Sequence, residues 1–500
     1  MARDLNAEPL LPVDKIQSDI LYGLIKRHEH LMFFKITHVD AFKTFVRSVP
    51  LTSVQESQDQ QKRIDANKSG NKALPTPGLN IAFTWSGLSV LGVPGLDPSR
   101  LEAFSGGMHS RQQRLDDPPA LTWNVLRPSH DLHGVFIVTG ASHAEVVDVI
   151  SQRLAPADDN GWKLLHTEVG QVRPEPFRGH EHFGYADGIS QPGVRGLVAA
   201  GVPLTPTAPG AEDTQGQKGQ DLLWPGEFVF GYPGQDANAP SFNKKGLPKT
   251  APVPFMENGA FMVFRRLAQK VPEFNRSVKL AALSITGTSN PMNPTLLGAQ
   301  LVGRWKSGAA IIKAPLADDA TIAEDTPDVN DFEFGDDREG LKCPFAAHIR
   351  KAYPRDDVPG NTAPARPEDV AQAEAFTQAH RMLRRGITFG PEVTESEALN
   401  ERSAGGDKTR GLLFKCYVTS IEDQFEFVQQ MWANNGAFSQ TESGIDPIIG
   451  QSNGPLRFFA GAAPSSGNKA DKPQFELGNF VHLEGGAYFF APAIDAIRTI

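Results

Sequence analysis

One unit, a strand pattern followed directly by a helix pattern, occurs twice in this chain, and it constrains the fold more than any other feature. The segment HGVFIVTG (133–140) is apolar and β-branched, and SHAEVVDVISQRL (142–154) after it has helical periodicity. The segments GLLFKCYVTS (411–420) and IEDQFEFVQQMWAN (421–434) repeat this order. We therefore predict an internal duplication: two α+β halves, each an antiparallel sheet with helices packed on one side.

The length of 500 residues supports such a division, because it exceeds what one ordinary hydrophobic core organises. We place the first half at residues 1–200 and the second at residues 201–500. The first half has two further strand patterns, HLMFFKI (30–36) and LNIAFTW (79–85). The segment TPTAPGAEDTQGQKGQD (205–221) is rich in Pro, Gly and polar residues, which predicts a connecting loop.

The charges exclude some classes of partner. The chain has 49 Lys and Arg against 58 Asp and Glu, a formal net charge of −9, so no basic surface for nucleic acid is expected. No run approaches the ~20 apolar residues of a membrane-spanning helix. Two cysteines do not make a disulfide framework. We expect a soluble protein that binds neither nucleic acid nor membrane.

The stretch HFGYADGISQPG (182–193) holds one carboxylate, Asp187, between Gly184 and Gly188. Glycines permit positive φ and let the backbone approach a flat or bulky group closely. Asp187 is therefore a candidate acid–base residue at a binding site. The residues alone also allow a plain turn, in which the aspartate accepts hydrogen bonds within its own loop.

A candidate metal ligand is His348, in CPFAAHIRKAYPR (343–355). A neutral imidazole in an apolar wall is a good axial ligand for iron, and a satisfied core histidine is the alternative. Asp446, in GIDPIIGQ (444–451), could accept a hydrogen bond from the far nitrogen of a metal-bound histidine, or could cap a turn.

A pair of arginines, Arg384 and Arg385, lies in HRMLRRGITFGPE (380–392), just before Gly386. Glycine is typical of the end of a helix. One of the two arginines could point inward beneath a sheet, or both could be solvated at the helix end.

Taken in chain order, these segments resemble the dye-decolorizing peroxidases, and the length and loops resemble the long fungal branch of that family. The resemblance spans nearly the whole chain. It is carried by the GxxDG of 184–188, CPFAAHIRK around His348, LRRGITFG at 383–390, GLLFKCY at 411–417 and the closing GAYFFAP at 486–492.

The resemblance implies two ferredoxin-like halves and one haem b per chain, held mainly by the second half. It implies that His348 is the proximal iron ligand, Asp187 the distal acid–base residue and Arg384 the distal arginine. The other implied roles are a propionate contact for Arg355, haem contacts for Leu412, Phe414, Ile189 and Gly188, a hydrogen bond from the proximal histidine to Asp446, and a surface electron relay at Trp432.

A protein with these residues would use hydrogen peroxide to oxidise bulky dyes, phenols and other aromatic reductants in one-electron steps, through a ferryl intermediate. Mn²⁺ is a further candidate reductant. An unperturbed aspartate, with a pKa near ~3.9, remains ionised in mild acid, where a distal histidine would be protonated. Likeness to fungal relatives implies that the protein is secreted. No signal peptide is visible in the sequence, so a cytoplasmic protein is the alternative. The sequence is compatible with a monomer and with a dimer.

Two rival functions remain on the residues alone. Cys343-Pro344 and the pair Glu181-His182 are components of a haem-thiolate peroxidase or peroxygenase with Cys343 as ligand, although in such enzymes the cysteine precedes the acid. A non-catalytic haem carrier would need a pocket, but not an acid and an arginine together.

Overall fold

The computed structural model describes residues 9–67, 74–155, 157, 159–197, 219–239, 244–284, 293–324, 328–360, 366–441, 443–451, 456–460 and 474–500. The predicted boundary between residues 200 and 201, and most of the predicted loop at 205–221, lie outside these residues.

One antiparallel sheet of nine strands organises the described chain. Four strands come from the first half and five from the second. The strands are β1 (His28–Ile36), β2 (Gly78–Phe83), β3 (Gly134–Gly140), β4 (Trp162–Gln171), β5 (Ala260–Gln269), β6 (Leu383–Arg384), β7 (Ile387–Phe389), β8 (Gly411–Val418) and β9 (Val481–Ala491).

The sheet closes into a barrel because β8 pairs with β7 on one edge and with β5 on the other. Around the ring the order is β4-β1-β3-β2-β9-β5-β8-β7, and β6 adds to β8 beside β7. The short strands β6 and β7 can be counted as one interrupted strand. Each half then has four strands, and in both halves their order across the sheet is fourth, first, third and second in chain order. The prediction of two similar α+β halves is confirmed, and the strands that suggested it, β3 and β8, hold equivalent positions.

The four-stranded part from the first half and the five-stranded part from the second half join edge to edge, which the sequence did not indicate. Phe389 of β7 pairs with Gly170 of β4, and Phe490 of β9 pairs with Phe83 of β2. Within the described ranges, three two-stranded sheets lie outside the barrel: Gly193–Val194 with Leu222–Leu223, Pro233–Gln235 with Lys245–Pro248, and Leu456–Ala460 with Gln474–Gly478.

Helices surround the barrel, and none within the described residues is long and apolar enough to cross a membrane. The predicted helix after β3 is present, and the one after β8 is wound as two π-helical segments, Ile421–Glu426 and Val428–Ala433. The α-helices are α1 (Ser18–Leu21), α2 (Val39–Ser48), α3 (Val54–Ala66), α4 (Trp85–Val90), α5 (Glu102–Gly106), α6 (His143–Arg153), α7 (Val271–Ser284), α8 (Pro294–Val302), α9 (Ala320–Glu324), α10 (His348–Ala352), α11 (Pro367–Gln378), α12 (Glu395–Leu399) and α13 (Ile494–Thr499).

Alternation along the strands produces two hydrophobic layers. One set of alternate residues, such as Phe33, Ile137 and Leu413, packs together inside the barrel. The other set, such as Phe34 and Phe136, packs outward against the helices. The barrel interior is therefore filled by side chains, and helices cover the part of the outer face that carries residues such as Phe34 and Phe136.

A buried ionic cluster lies among the interior residues and ties the two halves together. The ammonium of Lys415 in β8 lies 2.9 Å from the carboxylate of Asp19 and 2.6 Å from that of Glu29. Tyr417 donates to Asp19 at 2.9 Å. Burial alone would raise the pKa of Asp19, but Lys415 outweighs it and holds that pKa well below its usual range.

We expect Lys415→Met to lower the free energy of unfolding by roughly 3–5 kcal/mol, because the buried carboxylate of Asp19 loses its paired cation, whereas Glu29 keeps Lys26 at 2.8 Å. Urea denaturation at neutral pH measures the change. Lys163→Met, at an exposed position on β4, is the matched control and should change stability by less than about 0.5 kcal/mol. A Lys415 variant as stable as this control would show that the cluster does not stabilise the fold.

Candidate functional site

Asp187 lies on a tight turn near the end of the first half. Its N–H donates to the carbonyl of Gly179 at 2.9 Å, and its Oδ1 accepts from the N–H of Gly188 at 2.6 Å. Gly184 and Gly188 have φ values of 96° and 76°, a backbone region that favours glycine. A hydrogen bond within the loop is thus present, yet the Asp187 side chain is exposed. A Cβ at Gly188 would meet no atom within 4 Å, so the turn borders open space.

The two residues that precede this turn anchor it to the barrel. The carboxylate of Glu181 accepts from two N–H groups of its own loop, at 2.8 and 2.9 Å, and from the side chain of Gln269 in β5. Nε2 of His182 lies 2.9 Å from the carbonyl oxygen of Phe389 in β7, so Nε2 carries the proton. Burial raises the pKa of Glu181, and burial together with the Arg173 cation lowers the pKa of His182 to about 4.

Arg384 approaches from the outer face of the barrel. It pairs directly with Cys416 of β8, and residues opposed in an antiparallel pair project to the same side. Cys416 belongs to the outer layer, and the half-buried Leu412 and Phe414 alternate with it on that face. Nη2 of Arg384 donates to the carbonyl of Ser190 at 2.7 Å, which brings the guanidinium to the loop that carries the acid.

His348 begins α10, and its imidazole is fixed by Asp446. Nδ1 lies 2.8 Å from Oδ2 of Asp446, whose Oδ1 accepts from the N–H groups of Ile448 and Ile449 at 2.7 and 3.0 Å. Burial alone would lower the pKa of His348, but the Asp446 carboxylate outweighs it and raises that pKa. The contact holds the proton on Nδ1 and leaves Nε2 for a ligand, on a side chain that is 23% exposed.

The fold brings the three predicted catalytic and ligand residues, Asp187, His348 and Arg384, near one another. The charges of Arg384 and Asp187 both act on the imidazole of His348, the first lowering and the second raising its pKa. Leu412 and Phe414 supply apolar surface beside Arg384. An imidazole nitrogen with a carboxylate behind it, an apolar wall, an acid and an arginine together fit an iron porphyrin.

Two of the predicted cofactor contacts have protein partners of their own. Ile189 is half-buried, and its carbonyl accepts from the Asn330 side chain at 2.9 Å. Arg355 is buried, and its Nη1 lies 2.6 Å from the carbonyl of Phe332 and 3.4 Å from the Glu333 carboxylate. Burial raises the pKa of Glu333 to about 8. The propionate contact of Arg355 stays a prediction, because its guanidinium already has acceptors.

The prediction that Trp432 lies at the surface is wrong, since it is only 2% exposed. Its ring stacks on Phe438 at 5.5 Å, with the rings of His380 and Phe427 edge-on at 5.4 and 5.5 Å. The chain after the π-helical segment folds back and covers the indole, which the helix pattern did not indicate. The relay role stays a prediction.

The structure disfavours Cys343 as an iron ligand. The residue is fully buried, and its N–H donates to the carboxylate of Asp337 at 2.9 Å. Burial raises the pKa of the Cys343 thiol well above its usual range. A thiol that keeps its proton is a poor ligand, because the thiolate is the form that binds metal.

Sequence reasoning missed the residues that hold the site in place. It assigned Glu181 and His182 only to a rival function, and it left out Gln191, whose carboxamide bonds to the main chain of Arg384. Their position beside the Asp187 turn was the available signal. Each of the three, however, also has a partner far away in the sequence, which no local pattern indicates.

Comparison with known proteins agrees with this geometry. A family model described as the DyP dimeric alpha+beta barrel domain matches residues 15–174. Dye-decolorizing peroxidase msp1 of Mycetinis scorodonius is 34% identical over 98% of this chain and 88% of that protein. Dye-decolorizing peroxidase AauDyP1 of Auricularia auricula-judae is 32% identical over 97% of this chain and 86% of that protein.

Two solved structures extend the likeness to three dimensions. An ancestral D-type dye decolorizing peroxidase has a TM-score of 0.79 at 35% identity, covering 98% of this chain and 99% of that chain. A dye-decolorizing peroxidase in complex with 2,6-dimethoxyphenol has a TM-score of 0.75 at 30% identity, with the same coverage.

We expect His182 to make the fold acid-sensitive. Its pKa is about 4 in the folded chain and ~6.5 in an unfolded one, so between these values only the unfolded chain takes up the proton. Stability present above pH ~6.5 is therefore lost as the pH falls towards 4, by up to about 3 kcal/mol from this residue. His182→Gln keeps a hydrogen-bond donor for the carbonyl of Phe389 but cannot take up a proton. Between pH 6.5 and pH 4.5 its free energy of unfolding should therefore fall by less than that of the original protein, as measured by urea denaturation. Equal losses in both proteins would contradict the assignment.

Proposed function

The chain belongs to the dye-decolorizing peroxidase family, and we propose that Asp187, Arg384 and His348 carry its reaction with hydrogen peroxide. The observation that supports this most directly is the hydrogen bond from Arg384 to the carbonyl of Ser190. It joins the guanidinium to the loop of the acid, and both charges act on the His348 imidazole.

The cofactor in this proposal is one haem b per chain, which Nε2 of His348 would hold through its iron. When bound, the haem would supply the redox-active iron at which peroxide reacts. The half-buried Leu412 and Phe414, with Ile189 and Gly188, would border it. Arg355 would meet a propionate.

The acid and the arginine divide the work on peroxide. The carboxylate of Asp187 takes a proton from one peroxide oxygen and returns it to the other, which leaves as water. The guanidinium of Arg384 stabilises negative charge as the O–O bond breaks, and it keeps its own proton throughout. The hydrogen bond from Nδ1 of His348 to the Asp446 carboxylate would make Nε2 a stronger electron donor to the iron.

The reductants in the proposal are phenols and bulky aromatic dyes. A related structure is a complex with 2,6-dimethoxyphenol, which supports the phenols. We leave Mn²⁺ out of the proposal, because among the described residues no group of three or more His, Cys, Asp or Glu side chains could hold a metal ion. We also propose that the protein is secreted, which follows only from its resemblance in sequence to the long fungal branch of the family.

We expect Asp187→Asn to slow the reaction with peroxide by at least ~100-fold, because an amide cannot accept the proton. Stopped-flow absorption of the haem-loaded protein, mixed with one equivalent of peroxide at mildly acidic pH, measures the rate. Asp148→Asn, at an exposed position on α6, is the control and should react like the original protein.

Three other outcomes of this experiment would overturn the proposal. An Asp187→Asn variant as fast as the original would remove the acid–base role. Haem that binds to the original protein but does not change with peroxide would indicate a carrier. A thiolate-type spectrum would move the ligand to Cys343.

We further propose that electrons from bulky dyes pass through Trp432 despite its burial. Phe438 stacks on the indole at 5.5 Å, and the ammonium of Lys351 in α10, the helix of His348, lies 5.6 Å from the Phe438 ring. On the other side His380 contacts Phe376, which is 42% exposed. Aromatic contacts thus lead from the surface towards the proximal helix.

We expect Trp432→Phe to lower turnover of a bulky dye by ~10-fold or more and to spare a small phenol, because phenylalanine is much harder to oxidise than tryptophan. Steady-state kinetics with both donors measures the effect. Trp162→Phe, another buried tryptophan in the first half, is the control and should change neither. Equal losses on both donors in Trp432→Phe would end the relay proposal.

A further inference from the structure

We propose that Gln191 is a positioning residue of the distal site: its carboxamide stands in for a missing strand neighbour and fixes the backbone of Arg384. This inference rests on the proposed role of Arg384. Gln191 is half-buried and lies in the same loop as Asp187, so it connects the acid and the arginine of the site.

The strand that carries Arg384 has a free edge. Among the described strands β6 pairs only with β8, so the main-chain groups on its other side have no strand partner. Gln191 occupies that side. Its Oε1 accepts from the N–H of Arg384 at 3.2 Å, and its Nε2 donates to the carbonyl of Arg384 at 2.9 Å.

The chemistry of this contact requires a carboxamide. Only Asn and Gln side chains combine a neutral N–H donor and a carbonyl acceptor in the geometry of a peptide group. Such a side chain can satisfy both polar groups of one residue, as a neighbouring strand does. Unpaired edge groups would otherwise compete for water or for other partners.

Arg384 is consequently held at both of its ends by the same loop. Gln191 holds the backbone, and the carbonyl of Ser190 accepts from the guanidinium at 2.7 Å. The loop is itself fixed, because the carbonyl of Gln191 accepts from the side chain of Gln220 at 3.0 Å. The distance between the acid and the arginine is therefore set by a few covalent bonds and these contacts.

Gln191→Leu tests the geometric half of the inference, since leucine keeps the approximate volume and removes both polar atoms. In the haem-loaded protein, amide hydrogen exchange at Arg384 should rise at least ~10-fold, because its N–H loses its acceptor. Gln191→Met, unbranched and of similar length, serves if the leucine variant does not fold. Unchanged exchange at Arg384 would overturn the proposal.

The kinetic half uses the same variants in two backgrounds. Gln191→Leu should slow the reaction with peroxide by ~10- to ~100-fold, because a small displacement of a positioned group is costly in rate. In an Arg384→Ala background it should have no further effect, because Gln191 acts through Arg384. Gln58→Leu, at a half-buried glutamine of α3 whose carboxamide donates to the carbonyl of Leu197 and not to Arg384, is the matched control and should change the rate by less than ~3-fold.

The outcomes separate this inference from the proposed function. If Arg384→Ala itself leaves the rate unchanged, the proposed role of Arg384 fails. If Arg384→Ala is slow but Gln191→Leu is not, the inference alone fails. An equal effect of Gln191→Leu in both backgrounds would assign Gln191 a merely structural role and would also overturn the inference.

Discussion

A closed barrel of eight strand positions is just wide enough to be filled by its own side chains, and this packing decides where a cofactor can bind. Among the described residues, hydrophobic side chains and the ionic cluster around Lys415 occupy the interior, and a porphyrin there would have to displace them. A large ligand must therefore lie against the outer face. The outer face of β6 and β8, next to the Asp187 loop and α10, carries the residues suited to it.

The strand β8 shows how closely stability and chemistry are combined. The side chains of Leu412 and Phe414 face the candidate site. The alternate residues Leu413 and Lys415 point the other way and fill the barrel. The adjacent arginines divide in the same way. Arg384 faces the site, and the side chain of its neighbour Arg385 donates to main-chain carbonyls of α1 inside the barrel. A change of register by one residue would exchange the two sets and destroy both functions.

Much of the fold could be predicted because its signals are local. The strand patterns at 133–140 and 411–420 correspond to β3 and β8, since period-two alternation and β-branched residues act within a few positions. Closure of the ring could not be predicted. The two halves meet through Phe389 with Gly170 and through Phe490 with Phe83, contacts between distant segments that leave no pattern in either one.

The same distinction between local and distant signals applies to the candidate site. Asp187, His348 and Arg384 stand in motifs that resemble a family, so they could be named from the sequence. The burial of Trp432 depends on a later segment that folds back over it. The partner of Gln191 is the main chain of a residue in β6, and every residue type except proline would present the same N–H and carbonyl there.

Closure of the ring has a consequence for how this protein is made. On a ribosome, the strands β1 to β4 emerge first, and their sheet has two open edges, at β2 and at β4. The strands that cover those edges, β9 and β7, are synthesised much later. During that interval the nascent first half presents unpaired backbone to every neighbouring chain, which is the condition that favours aggregation. Production of this protein is therefore expected to depend on chaperones and on the rate of translation through the second half.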